Sequence, residues 1–419
     1  MQRPGVIIAG GGIAGLTLAL ALHEAGYAPR VYEAAGQLAE LGVGINVLPH
    51  AAKEFARLGV LDALVAEGVE LERYMWFNRH GQEIWQEPRG RGAGYAWPQV
   101  SIHRGALHRV LADAVRARLG DAALLLDHQL TGFAQDATSV TAHFASRASG
   151  APRDSVRGEV LIGADGIHSA LRRCFYPDEG PPRWAGNMMW RMCAELPGPV
   201  LGGATMFSAG TGELKVVGYE ISAAARRQGR SLFNWIAEVR TGADGAPPPE
   251  RENWNRVAGI EEFAHYFEDF RFDWLDVPAL ARASGQAFAF PMVDRDPLPR
   301  WTHGRATLLG DAAHPMWPIG SNGASQAVLD CRALADALAA HVDVRDALTA
   351  YEATRLPATA AVVTANRSRA HDEILDLVER RAPQGFSDAR AVISAAEIET
   401  RLASYKQTAQ FDRQRVGSA

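Results

Sequence analysis

The chain has 419 residues, of which 47% are hydrophobic and 22% charged, with a formal net charge of -5. That length and composition support a sizeable core in one large domain or two intimate ones, and exclude a mostly disordered chain. The negative balance gives no electrostatic case for a nucleic-acid partner, which needs a basic face. Arg226, Arg227 and Arg230 are read as solvated surface. Cys174, Cys193 and Cys331 are odd in number, widely spaced and form no CxxC pair, so they are read as small core residues in a reducing compartment.

Val6–Ala9 is a short apolar run that ends in Gly10 and predicts a buried parallel strand. A helix is expected over Ile13 to Ala25, closed by Gly26, with a second strand at Arg30 to Glu33. Helical spacing follows at Ala51 to Leu58 and at Arg104 to Leu119. Strands are predicted at Ala122 to Leu126, Val140 to Phe144 and Glu159 to Ile162, with a polar turn over Ser146 to Arg157. From 176 to 295 the texture changes to aromatic-rich segments, including Trp184, Trp190, Phe207, Trp235, Trp254 and Phe288. Strands are expected there at Lys215 to Ile221 and Ser231 to Val239, with an exposed loop at Gly242 to Pro249. The buried-strand pattern returns at Thr307 to Leu309. Helices are expected at Ala324 to Ala340 and Arg345 to Arg355, then on through Pro357 to about Arg381. Weak helical character is left at Ala391 to Tyr405.

This order predicts an α/β fold. A Rossmann-like domain would occupy 1–175 and 296–384, with an inserted α+β domain of mainly antiparallel sheet at 176–295. C-terminal helices end in a helical or flexible tail at 385–419. The N-terminus lacks a secretory pattern and no run reaches the length of a membrane span, so a cytoplasmic protein is expected, as monomer or homodimer.

Gly10, Gly12 and Gly15 form GxGxxG between a strand and a helix, with Glu33 at the end of the next strand. Glycines there permit a tight turn, close approach to a pyrophosphate and helix–strand packing, and the acid is placed for a ribose diol. The motif by itself leaves FAD and NAD open. Two further strands run into acidic turns, Leu161-Ile162-Gly163-Ala164-Asp165-Gly166 and Leu308-Leu309-Gly310-Asp311-Ala312-Ala313-His314-Pro315. The second is followed by Pro318, Gly320 and Gly323. Each puts a carboxylate at the carboxyl end of a strand, where open α/β sheets bind ligands.

In these three ordered motifs the sequence resembles the single-component flavoprotein aromatic hydroxylases, such as para-hydroxybenzoate and salicylate hydroxylases. It looks most like their phenazine-modifying branch in Leu41-Gly42-Val43-Gly44-Ile45-Asn46, Glu87-Pro88-Arg89-Gly90, Ser101-Ile102-His103-Arg104-Gly105 and Pro291 to Pro299. The resemblance implies FAD as cofactor, NADH or NADPH as transient reductant, and O2 as the source of one oxygen atom delivered through a flavin C4a-hydroperoxide to a phenazine-, salicylate- or quinoline-like substrate. It implies that Asp311 holds the ribityl hydroxyls, Arg104 the phosphates or ribityl chain, and Gly44 and Ile45 the backbone beside the isoalloxazine. Asp165 would stand between the FAD and nicotinamide functions. Gly10, Gly12, Ile13, Ala14, Gly15, Glu33 and Gly310 complete the cofactor set, and Pro318, Gly320, Asn322 and Gly323 form the flavin-edge loop. Backbone N–H groups at Asn322 and Gly323 would stabilise the anionic reduced ring, so Pro318, Asn322 and Gly323 are the catalytic candidates, with no protein nucleophile and no metal.

Trp190, Arg191, Tyr219, Phe290, Met292 and Trp317 are the candidates to face a planar substrate, core packing being the alternative for each aromatic. Arg191 suits a carboxylate, the nicotinamide or a surface ion pair. His314 is expected to orient its loop, and His103 and His168 carry no assigned role. Two other classes share the nucleotide motifs: an FAD dehydrogenase without oxygen transfer, and a non-catalytic FAD-binding protein. A second GxGxxG after a strand, which a two-nucleotide reductase requires, is missing from the sequence.

Overall fold

The structure, a computed structural model, describes residues 5–38, 42–250, 253, 255–409 and 413–417. Leu41 and Trp254 lie outside the described residues. The chain opens with β1 (Val6–Ala9), α1 (Ile13–Glu24) and β2 (Arg30–Tyr32), as its apolar periodicities predict. It continues through β3 (Gly44–Val47), β4 (Arg73–Phe77), β5 (Glu83–Pro88), β6 (Val100–His103), α2 (Arg104–Leu119), β7 (Leu124–Leu125), β8 (Val160–Gly163) and α3 (Ala170–Phe175). The middle segment supplies β9 (Arg183–Leu196), β10 (Thr205–Gly210), β11 (Leu214–Glu220), β12 (Ser231–Arg240), β13 (Val257–Ala258) and β14 (Ala287–Asp294). The last part holds β15 (Ala306–Leu308), α4 (Gly323–Ala340), α5 (Val344–Arg367), α6 (Ala370–Arg381) and α7 (Ala395–Thr408).

A five-stranded parallel sheet runs in the order β15-β8-β1-β2-β7. Its strands read as continuous apolar runs because they are covered by other layers: α1 packs on α2 and α4, and the antiparallel strands Gln129–Gln135 and Val140–Ala145 bury Leu130, Val140, Ala142 and Phe144 in the same core. An eight-stranded sheet runs in the order β13-β14-β9-β12-β11-β10-β4-β5. It is mainly antiparallel, but β4 and β10 pair in parallel. The 176–295 segment therefore does not build this sheet alone: the hairpin β4–β5, from the part read as FAD-binding, completes its edge. Local pattern could not announce that pairing, because its partner lies more than a hundred residues away.

Three further differences are physical. The helix expected to continue to Arg381 breaks at Arg369, whose φ of 53° is left-handed, and α6 starts afresh there. The tail read as partly flexible contains α7, which buries Ile398, Leu402 and Tyr405, and Val416 beyond it is buried as well. Cys174, read as a core residue, is exposed; Cys331 is buried and Cys193 half-buried, and all three are free thiols.

Candidate active site

Register places the three motif turns at one edge of the parallel sheet. Ala9 pairs with Gly163, and Gly163 with Leu308, so Gly10, Ala164 and Leu309 leave their strands side by side. A side chain on Gly10 would land 2.3 Å from the Ala164 carbonyl oxygen. One on Gly15 would lie 1.9 Å from the Gly10 carbonyl oxygen, so only glycine lets α1 approach its strand this closely. Gly310 approaches Ala14 and Ala327, where its missing Cβ would be 3.2 Å from each. The turns that carry Gly12 and Asp311 thus leave the same end of the sheet, with Gly310 close to Ala14.

The start of α1 has the features of an anion site. Gly12 is its N-cap, no side chain caps it, Gly12 is exposed, and no atom lies within 4 Å of where its Cβ would stand. The first N–H groups of a helix have no intrahelical acceptor and carry partial positive charge. Glu33 is held over this turn by accepting from the N–H of Gly11 at 2.6 Å and of Ala35 at 2.7 Å. Ile13 and Ala14 are half-buried along the same turn.

Asp311 is open to solvent, yet burial among neighbouring protein groups still raises its carboxyl, with His314 and Arg104 pulling the other way. That combination marks a recess rather than a convex surface. Burial and the nearby Arg191 lower the Arg104 guanidinium to about 10, while Asp311 raises it, so Arg104 stands between the acidic turn and the second sheet. Its backbone N–H donates to the Val43 carbonyl at 2.8 Å, fixing β3 beside it. Gly44 N–H donates to Asn234 Oδ1 at 2.6 Å, and Gly44 O accepts from Arg191 Nη2 at 2.6 Å. Gly44 is buried and Ile45 half-buried where the two sheets meet.

Asp165 caps α3: its Oδ2 accepts from Ala170 N–H at 2.7 Å. Its Oδ1 is buried with no hydrogen-bond partner among the described residues. His314 Nε2 meets Asp330 Oδ2 at 2.5 Å, and the same carboxylate accepts from Gly310 N–H and pairs with Arg355. Asp330, which no motif singled out, therefore holds the Asp311 turn from beneath. Pro318 is exposed and begins the loop that enters α4 at Gly323. The Asn322 side chain donates to Tyr405 Oη, and the residue is 0% exposed, so Asn322 presents no surface to a ligand in this conformation and the half-buried Gly323 heads the helix. A side chain on Gly323 would find Asp311 Oδ1 at 4.0 Å, which brings the loop and the acidic turn together.

The six substrate candidates separate by strand alternation. Trp190 and Arg191 are consecutive in β9, so they point to opposite faces. Trp190 stacks toward Phe263 in the core on the far side, which removes it from the site. Arg191 lies on the inner face, half-buried, with its guanidinium 6.0 Å from the Phe290 ring. Tyr219 shares that face, and its hydroxyl is raised to about 12 by burial against the pull of Arg191. Phe290, Met292 and Trp317 pack with Met189 into one buried cluster. Trp317 is 0% exposed and Met292 1%, so neither presents surface to a ligand in this conformation. Val217 and Ile236 were missed. Both are half-buried, and Arg191, Ile236 and Val217 form one cross-strand row on the inner face. Counting by twos from Arg191 and through the pairing would have found them, whereas a search for aromatics does not.

A dinucleotide turn, two acidic turns beside it and a second sheet over their far end are the features of a dinucleotide-binding α/β protein. Residues 3–366 match the family model of the FAD binding domain. The chain is 42% identical over 366 residues to phenazine 1,6-dicarboxylic acid hydroxylase PhzS of Lysobacter antibioticus, covering 87% of this chain and 89% of that one. It is 30% identical over 375 residues to 3-hydroxybenzoate 6-hydroxylase 1 of Aquipseudomonas alcaligenes, covering 86% and 87%. Among solved structures, HpxO of Klebsiella pneumoniae in complex with FAD and uric acid superposes with a TM-score of 0.71 at 24% identity, covering 98% and 94%. A salicylate hydroxylase substrate complex does so with 0.72 at 22%, covering 100% and 99%. The chain belongs to the FAD binding domain family and is a flavin-dependent monooxygenase of the aromatic hydroxylase kind. Among the described residues, no helix is long and apolar enough to cross a membrane.

Proposed function

We propose that this enzyme hydroxylates a planar aromatic or nitrogen-heteroaromatic acid, phenazine-, salicylate- or quinoline-like, with NADH or NADPH as reductant and O2 as oxygen donor. Arg191 carries the reading. It is a half-buried cation on an otherwise apolar row, and its Nε is buried with no partner among the described residues. A carboxylate satisfies such a group through a charge-assisted hydrogen bond. Val217, Ile236 and the edge of Phe290 supply apolar contact for a flat ring, and Tyr219 supplies a neutral hydroxyl beside the cation.

FAD, when bound, supplies the two-electron carrier and the site of oxygen activation. The chain's own groups hold and shield it. The N–H groups at Gly12 and Ile13 receive the pyrophosphate, and Glu33 the adenosine ribose. Asp311 and Arg104 hold the ribityl chain, with Gly44 and Ile45 against one side of the ring. The loop from Pro318 to Gly323 presents the N–H groups at the start of α4 to the ring edge that becomes anionic on reduction. Asp165, whose buried Oδ1 is unpaired among the described residues, would order the adjoining cofactor contacts. The buried Met189–Phe290–Met292–Trp317 cluster excludes water from behind the reacting edge.

The test pairs phenazines, salicylates, hydroxybenzoates and hydroxyquinolines with their decarboxylated counterparts, scoring substrate-stimulated NAD(P)H oxidation and incorporation of labelled oxygen. One labelled atom in a carboxylated product, with the counterpart much poorer, is expected. Equal turnover of acids and neutral counterparts removes the role given to Arg191.

A further inference from the structure

Within the loop from Trp317 to Asn322, Ser321 N–H donates to the Pro318 carbonyl at 3.1 Å, and further bonds reach the loop from elsewhere in the chain. Gly320 has φ of 69° and Ser321 has φ of 57°, a left-handed conformation that a serine adopts only under constraint from its surroundings. Those constraints come from outside the loop and from late in the chain. Tyr405, on α7, is 3% exposed, and its Oη lies 2.8 Å from the Ile319 carbonyl and 2.7 Å from Asn366 Oδ1, while accepting from Asn322 Nδ2 at 2.8 Å. One hydroxyl proton serves the first two in alternation. Asn366, the penultimate residue of α5, donates through Nδ2 to the Trp317 carbonyl at 2.9 Å. The end of α7 also reaches α4: Gln326 Nε2 donates to the Ala409 carbonyl at 2.8 Å. A Cβ on Gly320 would sit 2.3 Å from Tyr405 Oη, so loop and tyrosine are fitted to each other. The FAD binding domain match ends at residue 366, and α7 lies wholly beyond it.

We propose that Tyr405 is a positioning residue: through its hydroxyl, α7 holds loop 317–322 and the start of α4 in the geometry that favours reduced over oxidised FAD. This rests on the reading of that loop as the flavin edge. Without the hydroxyl, Ile319 and Asn322 lose their shared partner, Ser321 relaxes, and the N–H groups at the head of α4 lose their aim.

Three variants of the FAD-loaded enzyme separate the possibilities by flavin midpoint potential and thermal melting. Tyr405→Phe keeps the ring and is expected to weaken the preference for reduced FAD about tenfold, roughly 30 mV more negative for a two-electron couple. Asn366→Ala is expected to move it the same way. Lys406→Ala cuts a neighbouring contact of α7, to Glu87 at 2.7 Å, and is expected to lower melting while leaving the potential in place. An equal shift in Lys406→Ala and Tyr405→Phe, or none in Tyr405→Phe, overturns the proposal. Gly323→Asp checks the underlying reading: a Cβ there meets only ordinary contacts, helix starts accept a carboxylate, and its charge disfavours a reduced ring. If Gly323→Asp moves the potential and Tyr405→Phe does not, only the role of Tyr405 fails. If Gly323→Asp also has no effect, the loop does not face the flavin.

Discussion

Arg191 and Trp190 differ by one position and by the whole thickness of a sheet. Replacing Arg191 with Gln removes a charge-assisted contact, which corresponds to roughly a ten- to hundredfold rise in KM for a carboxylated substrate. Trp190→Phe leaves KM unchanged and lowers the melting midpoint by about a few degrees, because it loosens packing against Phe263 on the outer face. Steady-state kinetics beside calorimetry on both variants checks the pair. A KM effect from Trp190→Phe would mean that the two faces are assigned the wrong way round. Gly15→Ala makes a sharper prediction. Its methyl group meets the Gly10 carbonyl oxygen, a backbone atom, at 1.9 Å, so α1 must move away from its strand. Flavin content on purification should fall to a small fraction of wild type.

At the scale of elements, the second sheet is tied to the C-terminal helices by buried charge. Lys215 on β11 bonds Glu238 on β12 at 3.0 Å and Asp372 on α6 at 2.7 Å, and all three are nearly inaccessible. Burial by itself would lower the Lys215 ammonium, but Asp372 and Glu238 more than reverse it and raise it above its ordinary value. Lys215→Met leaves two buried carboxylates facing each other and should cost about 3–5 kcal/mol at pH 7. Protonation removes that repulsion, so the deficit should shrink as pH falls; urea melts at pH 7 and pH 5 measure it. A constant deficit would mean that lost packing, not charge, is the cause. A second link, Arg367 on Asp294, joins α5 to β14 in the same manner.

For the whole molecule, acid stability turns on His50, which is 3% exposed on the helix Pro49–Arg57. Burial disfavours the imidazolium, and Arg355 adds repulsion, so the ring is lowered to about 3. The folded value lies below the unfolded value near 6.5, so the stability it contributes is complete above pH 6.5 and is lost as pH falls toward 3. At pH 5 the loss is about 2 kcal/mol. Denaturant titration should therefore show the wild type losing about that much more than His50→Gln between pH 7 and pH 5. Equal losses would exclude His50 as the sensitive group.

What the amino-acid order determined by itself is local: apolar strands ending in glycine or acid, a helix behind each, and hence Gly12, Glu33, Asp165 and Asp311 at the mouths of strands. Those signals survive because each depends on a few neighbouring residues and on backbone geometry that the side chains dictate. Only tertiary structure decided the rest. The β4–β5 hairpin joins a sheet assembled mostly from later strands. Asp330 lies beneath the acidic turn, and Val217 and Ile236 share a row with Arg191. Tyr405 reaches back 86 residues to the Ile319 carbonyl. Each is a contact between segments with no common local pattern, chosen by register and burial across the molecule, and a linear pattern carries no record of which distant surface a side chain will meet.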